Sequence, residues 1–403
     1  MKELKAGTAL KAGAAVVVKL PVLKYPLLVY FFIILCPVLF SQDIPEDELD
    51  ARINSYFDNF GVAVIYPQVT FTKKLSDNTG FSLRYLSDVI SSASMKSYFK
   101  VDGITSATTR NEGGADDTPD EWRHELGGVF NQKVFSGLFT LSGTYSTEHD
   151  YSSKTISASV SYPFAKKNTI LQTSILFSFD NVFPQTRTWT KERNTRSLNI
   201  GLTQILAKNV IVQIDASYID VSGYMLDGYQ VVRIINNSTS YQTLEPVEPD
   251  KRIRRAAGIR ANFGITKSAS LQIGYRYYSD SWEIRSHTFT GSFSNNFSKW
   301  FSATIDLRHY FQSKAFFFKP EYKTVEQYMS VDSKLNSGYS DQVMLIMVFK
   351  GRKGGGFPYF SNEKLSLTGS AGMYIRQNDS PDWFSHYNTL YAYLLSLGIR
   401  YNF

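Results

Sequence analysis

The chain has 403 residues, 15% of them aromatic and 20% charged, with 26 Tyr and 29 Phe. Its formal net charge is +7, but five lysines against Glu3 place +4 of this in residues 1–41 and leave +3 for the remainder. A basic excess held in the first segment gives no case for nucleic-acid binding, and a single cysteine, Cys36, excludes an intrachain disulfide framework.

The first element is a basic stretch followed by the apolar run Leu27–Phe40. Its 14 residues suit a signal-peptide core and are short for a membrane-spanning helix. Residues 1–41 are therefore expected to be a signal peptide cleaved after Ser41, with an uncleaved anchor and lipidation at Cys36 as alternatives. Cleavage would leave a mature chain with no cysteine, hence no thiolate nucleophile and no cysteine metal site. Residues 42–60, carrying Glu46, Asp47, Glu48 and Asp50, read as an acidic periplasmic lead-in.

From residue 61 to 403 the chain is a succession of alternating segments. Strands are expected near Val62–Thr72, Gly80–Ile90, Trp122–Gln132, Leu138–Thr147, Tyr151–Ser161, Thr169–Asp180, Thr195–Leu206 and Val210–Ser222. Further strands follow near Arg254–Phe263, Ser270–Ser279, Trp282–Phe293, Phe301–Phe311, Tyr328–Phe349, Leu365–Arg376 and Leu390–Phe403. Alternate side chains of a strand point to opposite faces. In the last segment Tyr391, Tyr393, Leu395, Leu397, Ile399, Tyr401 and Phe403 form an apolar row, opposite a row that becomes small and polar toward Arg400.

The connections alternate too. Phe164–Asn168, Ala207–Asn209, Gly264–Lys267 and Ser294–Lys299 are short; Ser91–Glu121, Asn181–Asn194, Gly223–Ile253 and Gln312–Gln327 are long. Strand length, strand number and this asymmetry predict an all-β fold, a transmembrane antiparallel β-barrel of the bacterial outer-membrane type with short periplasmic turns and longer outer loops. The segments number 15, whereas such barrels have an even count, so 14 to 16 strands are expected, with the discrepancy near Ile53–Phe60 or Lys350–Glu363. The final Tyr401 and Phe403 read as a membrane-insertion signal for the barrel-assembly machinery.

Leu271–Thr288 contains Tyr-Arg-Tyr-Tyr-x-Asp-x-Trp-x-Ile-x-Ser-His-Thr. This stretch resembles the family of predicted outer-membrane barrels catalogued as domain of unknown function thirty-five seventy. Ser146–Ser152, Arg193–Leu198, Ser222–Tyr229, Glu248–Arg255, Arg308–Phe318 and Ser330–Leu335 match in family order. Lys314 and the run Phe316–Phe318 depart from the pattern. The resemblance implies an outer-membrane barrel and supplies no activity. Family gene neighbours of flavin-transferase and thioredoxin-like type imply a periplasmic redox or flavin protein as a candidate partner.

Charges on a lipid-facing row cost about 2–4 kcal/mol for Arg or Lys at the bilayer midplane, so the charged rows should face inward. By parity the lumen-lining candidates are Arg276, Asp280, Glu283, Arg285, His287, Asp306, Arg308 and Arg400. They form either a selectivity lining or a salt-bridge network that stiffens the barrel. Glu148-His149-Asp150 offers two local carboxylates for a divalent cation, a composition equally ordinary in a turn. Lys251, Arg252, Arg254 and Arg255 could meet lipopolysaccharide phosphates or stand solvated at a loop end. No cofactor, metal or catalytic residue is assigned. The expected function is a porin-like channel or solute-selective barrel in contact with outer-membrane lipids and lipopolysaccharide. The alternatives are a partner barrel for envelope redox or maturation chemistry and a barrel lipid hydrolase built on a Ser–His pair.

Overall fold

The computed structural model describes residues 44–59, 61–92, 121–184, 187–226, 228, 230–237, 240–352, 361–378 and 388–403. The signal-peptide reading of residues 1–41 and most of the long connection Ser91–Glu121 lie outside them. Eighteen strands run in chain order. They are β1 (Glu48–Asp58), β2 (Val62–Lys74), β3 (Thr79–Ser92), β4 (Glu121–Val134), β5 (Gly137–Thr147) and β6 (Tyr151–Phe164). Next come β7 (Thr169–Val182), β8 (Lys191–Ala207), β9 (Val210–Gly223), β10 (Val232–Asn237), β11 (Ser240–Leu244) and β12 (Lys251–Gly264). The last six are β13 (Ala269–Asp280), β14 (Arg285–Asn296), β15 (Phe301–Gln312), β16 (Gly338–Lys350), β17 (Leu365–Asn378) and β18 (Thr389–Asn402).

Sixteen of these form a closed antiparallel barrel in which each strand pairs with its sequence neighbours and β1 pairs with β18. The sequence order is broken only where β12 pairs with β9, because β10 and β11 leave the wall as a separate hairpin. Closure leaves no unpaired edge, which lipid would not tolerate. The turns 75–78, 135–136, 165–168, 208–209, 265–268 and 297–300 all lie at the end that carries both termini of the barrel. The opposite end carries the longer connections 183–190, 224–250 and 313–337.

Three expectations are corrected. The lead-in over 42–60 is in fact mostly β1: Leu49, Ile53 and Phe57 face outward, while Glu48, Asp50, Arg52, Asn54 and Tyr56 form the opposite row. Its acidic character belongs to a lumen-facing row, and β1 is the missing sixteenth strand. The segment Tyr328–Phe349 is a strand only from Gly338; the part before it is loop with a short 3-10 turn, Ser333–Leu335. The segment Trp282–Phe293 is a strand only from Arg285.

Apolar side chains divide into two populations. On the outer wall they are exposed, as for Ile53 and Leu397, and face lipid rather than a core. Most of the buried ones gather at the loop end. Trp282, Ile284, Ala315, Phe317, Phe318 and Leu335 form one cluster; Val232, Ile234, Tyr322, Met329 and Val331 form another. Bridges Ile234–Tyr322 and Val247–Met329 tie the connection 224–250 to 313–337. At the centre of the second cluster the Tyr322 hydroxyl donates to Phe317 O at 2.7 Å and accepts from Ser330 N at 3.0 Å. Burial pushes the Tyr322 phenol above its ordinary pKa. Tyr322→Phe should leave that buried N–H and carbonyl unpaired at a cost of about 1–3 kcal/mol. The expected readout is faster proteolysis within 313–337 with the barrel intact; an unchanged cleavage rate would contradict this role.

Candidate functional site

Register and parity place the charged rows. On β13 the exposed Ile273 and Tyr277 define the outer face, so Gln272, Gly274, Arg276, Tyr278 and Asp280 point into the lumen. On β15 the outer Ile305 and Leu307 leave Asp306, Arg308, Tyr310 and Gln312 inside. The same alternation turns Arg252, Arg254, Gly258 and Arg260 of β12 and Arg193 and Thr195 of β8 inward. Beneath the loop-end clusters these walls enclose a cavity of about 720 Å³. Its cations are Arg193, Arg252, Arg254, Arg276, Arg308 and Lys334; its carboxylates are Glu248 and Asp332. Ile219, Val221, Met225, Ile284 and Leu335 supply an apolar side, and Tyr278, Trp282 and Tyr310 an aromatic one.

Half of the cations are tied down. Asp280 is the hub of the β13–β14 turn. Its Oδ2 accepts from Arg252 Nε at 2.8 Å and from the Tyr278 hydroxyl at 2.7 Å. Its Oδ1 accepts from the backbone N–H groups of Trp282 and Ile284 at 2.9 and 3.0 Å. The Arg252 guanidinium also lies 4.2 Å from the Trp282 ring centroid, a cation–π contact that holds the indole over the cavity. Arg193 bonds Asp180 at 2.9 Å and the Tyr151 hydroxyl at 2.9 Å. Arg276 reaches across the register position of Gly258 to Asp215 at 2.5 Å and Ser217 at 2.8 Å. A Cβ on Gly258 would stand 2.9 Å from Asp215 Oδ1, so the glycine keeps that path open.

The other cations differ. Arg308 has one long hydrogen bond, to Ser340 at 3.3 Å, and its guanidinium lies 5.0 Å from the centroid of the Tyr310 ring. The Nε of Arg254 is buried with no acceptor, and no described carboxylate forms an ion pair with it. Among the described residues Lys334 also lacks a carboxylate partner; the Asp332 carboxylate accepts from its backbone N–H at 2.9 Å instead.

Of the residues singled out by sequence, Arg276, Asp280, Asp306 and Arg308 lie on the inner rows, and three of them come together at the cavity or just behind it. Arg400 is also inside but at the far end, bonded to Asp50 at 3.1 Å and Glu48 at 3.2 Å across the β1–β18 seam. Glu283, Arg285 and His287 are corrected. Glu283 is exposed in the β13–β14 turn with φ 67°. Arg285 and His287 share the outer face of β14 with Phe289 and Phe293. The inward assignment assumed that Trp282 and Ile284 face lipid. They face inward to the loop cluster and the cavity, in step with Ser286 and Thr288, so the odd-numbered Glu283, Arg285 and His287 fall on the other side. Tyr401 and Phe403 sit on the outer face, Phe403 stacked on Phe71 at 6.0 Å.

Arg193, Arg252, Arg254 and Lys334 were not assigned to the lumen from sequence. For Arg252 and Arg254 the signal was present: two residues apart, they share a face opposite Ile253. His124, His287 and His309 face outward and bond Tyr85, Tyr275 and Asp341, none of them a serine. Among the described residues no group of three or more potential metal ligands converges.

A closed 16-stranded wall, apolar outside, charged inside and ringed by aromatics at both ends, defines a transmembrane barrel of the bacterial outer-membrane type. The family described as "Protein of unknown function (DUF3570)" matches residues 38–190 and 183–341, and the chain belongs to that family. No curated protein matches the sequence. Among solved structures the chain is similar to a bacterial polysaccharide outer membrane secretin, with TM-score 0.49, 7% identity, and 89% of this chain and 100% of that one covered. It is similar to OpdK of Pseudomonas aeruginosa, solved with vanillate, with TM-score 0.44, 9% identity, and 88% and 98% coverage. It is also similar to the siderophore receptor PirA of Pseudomonas aeruginosa, with TM-score 0.42, 10% identity and 83% of this chain covered; the chain spans 57% of that receptor.

Proposed function

We propose that the protein is an outer-membrane channel or solute-selective barrel whose lumen favours anions at the loop end. The observation that carries this is the composition of the cavity wall: with Arg193, Arg252 and Arg276 each paired to an aspartate behind it, Arg254, Arg308 and Lys334 still stand against two carboxylates, Glu248 and Asp332. Rings of arginine are a general means of selecting anions in pores, and a barrel of this strand number is wide enough to leave an aqueous passage. In this reading residues 1–41 export the chain and Tyr401 and Phe403 engage the assembly machinery. The outer aromatic rows then meet outer-membrane lipid and lipopolysaccharide.

Purified, folded protein in a planar bilayer under a KCl gradient tests the proposal. Discrete conductance steps are expected, with a reversal potential of the sign for chloride preference. Arg254→Gln with Arg308→Gln should move that potential toward zero. A folded barrel that never conducts, or one that prefers potassium, would overturn the reading.

A further inference from the structure

From the same cavity we infer that the barrel holds a specific binding site for an organic dianion, a phosphate ester or a dicarboxylate carrying an apolar body. The inference deepens the solute-selective reading and rests on it. Ion pairing accounts for Arg193, Arg252 and Arg276, each with its own aspartate. Arg254, Arg308 and Lys334 line the same space and have no carboxylate partner among the described residues. Arg254 is the most demanding. Its Nε is out of contact with solvent and has no acceptor. It lies within electrostatic reach of two other guanidiniums, Arg252 and Arg193, and of one carboxylate, Asp280, which is already bonded to Arg252. A buried donor of a charged group left unpaired is costly, and an oxyanion in the cavity would supply both the acceptor and the compensating charge. Arg308 has a guanidinium fork committed to one weak hydroxyl contact, which leaves it free for bidentate recognition of carboxylate or phosphate.

Charge alone would describe a site for a small inorganic ion. The rest of the wall describes a larger molecule. Ile219, Val221, Ile284 and Leu335 line the cavity together with the Trp282 indole. Its volume of about 720 Å³ falls within the range of small-molecule sites. Glu248 and Asp332 offset part of the charge of the three unpaired cations, but Arg254 and Arg308 each keep guanidinium donors for an oxyanion, which is why a dianion is specified. The cavity is lined by inward-facing residues and walled from lipid by the strands, so the ligand is a water-borne solute rather than a lipid headgroup.

The test is calorimetric titration of the folded barrel in detergent with four probes: phenyl phosphate, suberate, inorganic phosphate and benzyl alcohol. Phenyl phosphate or suberate should bind one per barrel and more tightly than inorganic phosphate or benzyl alcohol, each of which carries only half of the recognition. Whichever of the two dianions binds identifies the head group. Arg254→Gln and, independently, Arg308→Gln should weaken that binding at least about tenfold. Arg260→Gln, on the inner wall outside the cavity, should not. Each variant is first shown to be folded by its heat-modifiable mobility. Dianions that bind no better than inorganic phosphate would overturn the inference, as would an equal loss in Arg260→Gln. Conductance of the same preparation separates the two readings. Binding without conductance keeps the site and removes the channel; conductance without binding does the reverse.

Discussion

Asp280→Ala is expected to cost about 3–5 kcal/mol, the usual penalty for leaving a buried charge without its partner. The Asp280 side chain has no solvent exposure, and that of Arg252 retains 13%. The substitution removes five accepted hydrogen bonds at once: two from Arg252, one from Tyr278, and two from the backbone N–H groups of Trp282 and Ile284. The backbone pair fixes the turn that aims Trp282 and Ile284 into the cluster with Ala315, Phe317 and Leu335. The damage should therefore spread from the turn to the connection 313–337. Trypsin should cut at Lys314 or Lys323 in the variant long before it does in the parent, and the temperature of heat-modified mobility should fall. Asp280→Asn should be intermediate, since its carbonyl can still receive the turn amides while Arg252 loses its counter-charge. Adding Arg252→Met to Asp280→Ala should recover part of the loss, because the uncompensated cation is then gone. Unchanged cleavage and melting in Asp280→Ala would mean that the turn is held by the barrel ladder alone.

Much of the architecture is legible in sequence because a lipid-facing strand obeys a strict rule. Leu395, Leu397 and Ile399 must alternate with smaller or polar residues, since only one face meets lipid. The rule misled where an apolar residue had another destination. Trp282 and Ile284 look like a lipid-facing pair, yet they are buried beneath the loops against residues some 30 to 50 positions later. No local pattern distinguishes lipid from a loop cluster as the apolar surroundings, so the parity of β14 came out inverted. The first strand hid for the opposite reason. Glu48, Asp50 and Arg52 look like a soluble lead-in until Leu49, Ala51 and Ile53 are taken as the other row. The cavity was legible only in pieces. Arg308 and Arg276 follow from alternation, whereas the lack of a partner for Arg254 depends on where distant carboxylates fall, which no spacing reveals.

Leu395→Arg is expected to cost about 2–4 kcal/mol and to sharply reduce the yield of folded, inserted barrel. Leu395 lies at the middle of β18 with half of its surface exposed on the outer wall. Its cross-strand neighbours are Ser55 and Ala371, and neither can pair with a guanidinium. Ser55 is already occupied, its hydroxyl donating to the Leu395 carbonyl at 3.4 Å. An arginine here would have to reach along the wall toward an interface or pull water into the bilayer. Leu394→Gln, one residue away, is the matched comparison. Leu394 points into the lumen opposite Tyr56 and Gly372, where a polar amide meets water. Folding both variants into liposomes and scoring the heat-resistant, protease-protected fraction should give a near-parental yield for Leu394→Gln and a large deficit for Leu395→Arg. The contrast depends on a single step of strand parity, so equal yields for the two would place the lipid boundary on the wrong face of β18. Because β18 closes on β1, such a result would also reverse the facing of Glu48, Asp50 and Arg52.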